Sequence, residues 1–421
     1  MDQHVLATND EAAGAETAPA RIIHYTEGLL LPCESVTPAN ANKDVFAIFE
    51  AKPDMIGLPV VENDHPIGLI NRNIFMQSMA RPFHREVYLN KSCIAFMDKQ
   101  PLIVDKKTSI QDLSFQVLEG GQKAMNDGFI ISDEDRYLGV GTAQDMLRAI
   151  ANLQADKNRL VMESIDYASV IQQSLSRPSR EAMRKTLADH FLIWEPRDIV
   201  SGDFYHFQDY DDGFLVVLFD CTGHGVPGAF MTLIMSAFLQ SALNSVSHDD
   251  PSAIIGAVNR LVKTAMGNID HQHVAGSDEE EGADDGMDAA FCWVDRRQRT
   301  LTYAGAHLPL LLLGPDDQEV RIVEGDRQGV GYAATPMDQV WKNHQVALPE
   351  GTSVYFFTDG LVDQLGGAKR IAFGKRRTRE VILRHRRETM PEQRAALLAT
   401  LKDYQGIEPR KDDVSAIGFR L

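Results

Sequence analysis

Four aspartates carry the chemistry that this chain offers. They stand in Ser201-Gly202-Asp203, Phe219-Asp220-Cys221-Thr222-Gly223-His224-Gly225, Thr358-Asp359-Gly360 and Lys411-Asp412-Asp413-Val414-Ser415. Any one Asp-Gly pair alone is a turn, because both residues favour turns. As a set in this order they are hard oxygen donors, suited to Mg²⁺ or Mn²⁺ rather than to a thiol-seeking metal. Two such ions roughly 3.5–4 Å apart can turn water into a nucleophile and neutralise a phosphoryl group. No serine or cysteine nucleophile is then needed. The four acids are far apart in sequence, so the fold must bring them together.

The elements that would do so lie between residues 180 and 421. Strand-like runs fall at Phe191–Ile193, Phe214–Phe219, Ala289–Val294, Thr300–Ala304, Leu308–Leu313, Ser353–Thr358 and Ser415–Arg420. Helices are expected at Gly228–Val246, Pro251–Met266, Arg379–Arg387 and Pro391–Tyr404. Many short strands with a few long helices predict an α+β sandwich with helices on the sheet faces. Two charge runs interrupt it. Asp278–Asp288 holds seven acids, and Lys369–Arg387 holds nine lysines and arginines. Such runs are expected as solvated faces, and the basic one could also meet an acidic or phosphorylated partner.

Upstream the chain reads as three further pieces. Residues 1–20 are poor in large apolar groups and are expected to stay mobile. Residues 21–151 contain an echo. Pro59–Ile70 and Phe129–Val140 each read as strand, acidic turn and strand, and each is followed by a helical segment, Asn73–Ala80 and Ala143–Leu153. Two copies about seventy residues apart predict a pseudo-symmetric pair rather than a solenoid. Met146–Leu175 then repeats apolar residues every three or four positions, which predicts one long helix with an apolar stripe. Pro178 is expected to end it. Residues 152–179 thus form a helical linker, either a dimerising signal helix or one that packs on its own domain.

Bulk composition narrows the class. The 421 residues suffice for two or three domains, 44% are hydrophobic, and the net charge is −18. That charge opposes a nucleic-acid groove. No apolar run reads as a membrane span, and no basic, apolar-cored leader is evident. The four cysteines lack CxxC spacing, so neither zinc nor a disulfide framework is indicated. The simplest expectation is a cytoplasmic protein.

Two resemblances sharpen this reading. Residues 180–421 resemble a metal-dependent protein phosphatase of the PPM class, in the bacterial SpoIIE/RsbU branch. The matching motifs are Ser-Gly-Asp-Phe-Tyr at Asp203, Phe-Asp-Cys-Thr-Gly-His-Gly at Asp220, Phe-Phe-Thr-Asp-Gly at Asp359, Asp-Asp-Val-Ser at Asp412 and Tyr303-Ala304-Gly305-Ala306-His307-Leu308-Pro309. The resemblance implies an α-β-β-α sandwich and two Mn²⁺ or Mg²⁺ ions. It implies that Asp203, Asp220, Asp359 and Asp412 are both the catalytic and the metal-holding residues, with the Cys221 carbonyl as a backbone ligand. It further implies a phosphorylated STAS-domain, anti-anti-sigma-like protein as substrate, within partner-switching signalling. Ala168–Leu175 resembles the regulatory helix that precedes this branch and often mediates a homodimer. Residues 38–151 resemble a tandem CBS module. There Thr142 and Asp145 match the family's ribose-contacting pair of an adenosine nucleotide site, or else cap a helix.

Other residues are weighed beside these. His224 is read as a turn residue before a general acid, because geometry must precede a catalytic role. His307 is read as a hairpin residue. Asp288 could approach the metals from the acidic loop, and Asp363 and Asp413 could support the ligands. The competing reading is a non-catalytic scaffold that binds and titrates a partner. A structural Ca²⁺ site is weaker, because no EF-hand loop is present.

Overall fold

A computed structural model describes residues 22–270 and 284–421, with side chains of 266–270 left aside. The expected mobile N-terminus, 1–20, lies outside the described residues, as do positions 278–283 of the acidic run. The chain divides into two compact units, the first ending at Val161 and the second beginning at Met162.

The first unit contains α1 (Asn42–Ala51), β1 (Gly57–Glu62), β2 (His65–Asn71), α2 (Arg72–Met79), α3 (His84–Tyr88), β3 (Ile103–Asp105), α4 (Ile110–Glu119), α5 (Gly121–Asp127), β4 (Phe129–Asp133) and β5 (Arg136–Gly141). The echo in the sequence is an echo in the backbone. β1–β2 and β4–β5 are antiparallel hairpins, each shifted by one residue, at Val60/Val61 and at Ile131/Ser132. Each turns on two successive residues of positive φ, Asn63-Asp64 and Glu134-Asp135. Paired left-handed residues match the strand twist of a tight hairpin, and short polar side chains tolerate them best. Each half has its own apolar core, one around Phe49, Val60 and Phe75, the other around Leu113, Phe129 and Met146.

One helix, α6 (Ala143–Thr186), leads from the first unit into the second. It does not stop at Pro178, contrary to the sequence expectation. Tertiary contacts beyond the proline outweigh the lost backbone bond. Met183 and the following Leu187 enter the core, and the Ser179 hydroxyl accepts from the Phe207 amide at 3.1 Å.

The second unit continues with β6 (Asp189–Glu195), β7 (Asp203–Asp209), β8 (Gly213–Cys221), α7 (Gly225–Leu243), α8 (Pro251–Asp270) and β9 (Met287–Asp295). Next come β10 (Thr300–Ala306), β11 (Leu310–Leu313), β12 (Arg321–Val323), β13 (His344–Ala347) and β14 (Ser353–Phe357). It closes with α9 (Asp359–Asp363), β15 (Leu365–Gly366), β16 (Ile371–Ala372), α10 (Gly374–Arg384), α11 (Met390–Gln405) and β17 (Val414–Arg420). Two five-stranded sheets result, ordered β13-β10-β9-β8-β7 and β12-β11-β14-β17-β6.

Strand alternation builds three apolar layers. Val216 and Leu218 of β8 meet Phe356 and Ile417 of the other sheet. Leu215 and Val217 point the opposite way, to Met235 and Leu239 of α7 and Val258 of α8. Tyr355 and Ala416 of the second sheet face Val381 of α10 and Leu397 of α11. The order is helix, sheet, sheet, helix, an α+β architecture. α7 is long and apolar enough to cross a bilayer by length and composition, against the sequence expectation, but Met231, Met235, Leu239 and Ala242 place it in this core.

Candidate active site

The acids gather where the two sheets end. β7 and β8 pair so that Asp203 lies directly opposite Asp220. The next register, β8 with β9, sets Asp220 opposite Asp288. The second sheet supplies Asp359 at the start of α9 and Asp412-Asp413 just before β17. Thr358 ties the sheets together: its hydroxyl donates to Asp203 Oδ2 at 2.8 Å and accepts from the Ser415 amide at 3.1 Å.

Glycines let these segments approach. A Cβ on Gly202 or on Gly228 would collide with the Gly223 carbonyl oxygen, and one on Gly360 would collide with the Asp413 carbonyl oxygen. Asp413 is 2% exposed and works as a clamp. Its two oxygens accept from the Arg197 and Gly202 amides, each at 2.6 Å. Asp363 pairs instead with Lys411 at 3.2 Å.

Burial, with like charges behind it, sets the electrostatics. Burial first, then the Asp413 charge, raises the Asp203 carboxyl to about 7, against hydrogen bonds that lower it. Asp220 is raised by burial and then by Asp203, Asp359 and Asp412. Asp359, exposed at the mouth, is raised to about 6 by burial of its carboxyl end and by Asp412. Carboxylates massed without a matching cation suit a divalent ion. Among the described residues no three acidic, histidine or cysteine side chains close on one point. Mg²⁺ keeps several waters and needs only one or two carboxylates, so pairs such as Asp203 with Asp220 fit it. The Cys221 thiol is raised by burial first and then by Asp220.

The fold also fixes the partners of Asp288, His307 and His224. Asp288 sits on a strand rather than approaching from the acidic loop, and it is held by His307 Nδ1 at 2.8 Å and the Tyr332 hydroxyl at 3.3 Å. Both His307 nitrogens face acceptors, Asp288 and the Arg327 carbonyl, and its pKa is raised: burial lowers it, but these hydrogen bonds outweigh that. His307 therefore braces the site. Arg197 Nη1 lies 2.6 Å from His224 Nε2. A guanidinium only donates, so Nε2 accepts and the ring proton faces Asp198, 3.3 Å from Nδ1. This geometry leaves Nε2 no proton to give.

Gln172 on α6 is 3% exposed and reaches the segment before Asp203. Its amide nitrogen donates to the Ser201 carbonyl at 2.7 Å and to Thr232 Oγ1 at 3.0 Å. Thr142 and Asp145, in the first unit, are engaged with each other: the Thr142 hydroxyl donates to Asp145 Oδ2 at 2.7 Å and accepts from the Asp145 amide at 3.1 Å. That is a helix cap. Thr142 also lines a cavity of about 180 Å³ with Cys33, Asp54 and Asp127. The basic run serves α10 and its surroundings, with Arg376 on Glu380, Arg370 on Glu408 and Arg377 on backbone carbonyls. All four cysteines are free thiols.

Two facing sheets, clad by helices and ending in an acidic cleft, define the second unit as a PP2C-type domain. Residues 210–421 match the family described as stage II sporulation protein E (SpoIIE), which is half of the chain, and the chain belongs to that family. The PP2C domain of SiaA from Pseudomonas aeruginosa is 37% identical, with a TM-score of 0.55, over 63% of this chain and 99% of that one. Phosphoserine phosphatase RsbU of Bacillus subtilis is 23% identical over 233 residues, 54% of this chain. The match spans 60% of that curated relative's length.

Proposed function

We propose that the chain is a Mn²⁺- or Mg²⁺-dependent phosphoserine/phosphothreonine phosphatase. The observation that carries this reading is Asp203 opposite Asp220 on one sheet, with Asp359 and Asp412 delivered by the other. These four, with the Cys221 carbonyl, would hold two divalent ions. Ions bound there would neutralise a phosphoryl group and make water nucleophilic near neutral pH. The chain's own part is positional. Thr358 fixes the Asp203 carboxylate, Asp413 fixes the loop before it, and exposed Arg197 offers its guanidinium at the mouth to the phosphate of a substrate.

The substrate in this reading is a phosphorylated STAS-type regulator of a bacterial partner-switching pathway, met in the cytoplasm. The repeat unit acts as a CBS-like sensor, and α6 carries its signal through Gln172. Exposed Met162, Tyr167, Val170, Ile171 and Leu175 on α6 favour a homodimer through that helix. An adenosine nucleotide at Thr142 and Asp145 would have to displace the cap, which calorimetry with ATP and AMP tests.

The deciding experiment follows phosphate release from p-nitrophenyl phosphate and from a phosphorylated STAS protein, with Mn²⁺, with EDTA and in Asp359→Ala. Metal-dependent release lost in the variant supports the enzyme. Tight binding of the STAS protein without any release favours the scaffold reading.

A further inference from the structure

A second cavity in the phosphatase unit has the opposite electrostatic character from the acidic cleft. It measures about 380 Å³ and is floored by His190, Leu192 and Trp194 of β6. Arg180 and Arg184 of α6 stand on one side, and Pro391 and Arg394 of α11 on the other. Three guanidiniums around one hollow are unexpected in a chain of net charge −18.

Their existing bonds leave most of their donors unused. Arg180 spends Nε on the Tyr205 hydroxyl at 3.2 Å, and Arg394 spends Nε on the Leu192 carbonyl at 3.0 Å. Those bonds orient both forks and leave their terminal NH₂ groups available. Arg184 makes no hydrogen bond or ion pair among the described residues. Two acids of the neighbouring elements are engaged elsewhere: Asp189 accepts from Arg420 at 3.0 Å and from the Met390 amide at 2.7 Å, and Glu392 accepts from Thr389 at 2.8 Å. α11 begins at Met390, so the positive end of its dipole lies on the same side.

The wall of this hollow reaches the acidic cleft. Trp194 Nε1 donates to the Asp203 carbonyl at 3.0 Å. The Trp194 ring also meets Tyr205 edge-on at 5.6 Å, the same tyrosine that Arg180 holds. A group that pulled on Arg180 or pressed on Trp194 would act on the strand carrying Asp203.

We infer that this cavity is an accessory site for a small phosphate-bearing ligand, bound by Arg180, Arg184 and Arg394 and felt at Asp203 through Trp194. Planar guanidinium forks match the oxygens of a phosphate two at a time. The volume suits a small molecule rather than a protein segment.

The test is calorimetry on the full chain in EDTA, where the unscreened carboxylates of the cleft repel anions. Inorganic phosphate and glucose 6-phosphate are titrated separately, with chloride as control. The expected result is saturable heat, weakened about tenfold or more in Arg184→Ala and abolished in Arg184→Glu, each loss removing a charge-assisted partner. Equal heat from both ligands assigns the site to the bare phosphate group, and tighter glucose 6-phosphate assigns it to an organic phosphate. The tryptophan emission change on binding should vanish in Trp194→Phe while the heat persists. No heat from either ligand, or heat unchanged in Arg184→Glu, overturns the inference. Because no turnover is read, neither result depends on the phosphatase reading.

Discussion

Gln172 and Ser201 exchange two hydrogen bonds. The Ser201 amide donates to Gln172 Oε1 at 3.1 Å, and Gln172 Nε2 donates to the Ser201 carbonyl at 2.7 Å. A side chain of α6 thus replaces the strand neighbour that the backbone before Asp203 lacks. Removing it leaves both peptide groups of a fully buried residue without partners.

Gln172→Ala should therefore cost about 1–3 kcal/mol of stability. Its activity loss should appear in kcat, because Asp203 shifts while the mouth stays intact. Gln172→Glu loses the donor and buries a carboxylate against the Ser201 carbonyl, and should be less stable than the alanine variant. Thermal melts and p-nitrophenyl phosphate kinetics on the three proteins check this order.

Asp203→Asn should separate stability from activity. The carboxylate is buried against Asp220, and its charge opposes folding at neutral pH in the absence of metal. The metal-free variant should melt higher than metal-free wild type. Its turnover should drop by at least about a hundredfold, since even partners one shell beyond a metal cost that order when changed. A variant melting lower in EDTA would contradict the electrostatic argument.

The pH dependence of the metal-free chain follows from the same charges. The Asp359 carboxyl rises from the usual 3.8 to about 6, and Asp203 and Asp220 move the same way. A carboxyl raised on folding holds its proton more tightly in the native state. Its contribution favours the fold below the unfolded value and is lost as pH climbs through the folded one. Metal-free protein should thus lose melting temperature from about pH 4 to beyond about pH 6, and Mn²⁺ should raise it more at about pH 7.5 than at about pH 5. An equal Mn²⁺ shift at both values would refute the assignment of these acids to the ion.

Gly360→Ala tests the close approach of the second sheet's loops. The added methyl collides with the Asp413 carbonyl. Overpacking of this kind costs about 1–3 kcal/mol, which corresponds to a melting temperature lower by about 2–4 °C per kcal/mol in a unit of this size. Activity should fall with it, because Asp359 and Asp412 flank the collision.

Much of the cleft was legible because each acid follows or precedes a strand and three have glycine or a turn beside them. How they pair was not, since that depends on register. Asp288 joins Asp220 only through the pairing of β8 with β9, sixty-eight residues apart in sequence (288 minus 220). β7 gave no strand signal because both its faces are buried: Phe204 packs toward α7 and its neighbour Tyr205 toward the second sheet, which erases the alternation. Pro178 misled for the opposite reason. Local chemistry predicts a stop there, and contacts of Ser179 and Met183 with the core override it.

The position of β17 sets a condition on biosynthesis. It is the last strand in sequence yet lies inside its sheet, between β14 and β6, and Asp412 and Asp413 arrive with it. While a ribosome is still making the unit, β6 has no partner in the sheet and the cleft lacks its fourth acid. A chain cut before Val414 leaves β6 unpaired in its sheet, and Asp412 and Asp413 without the strand that anchors them.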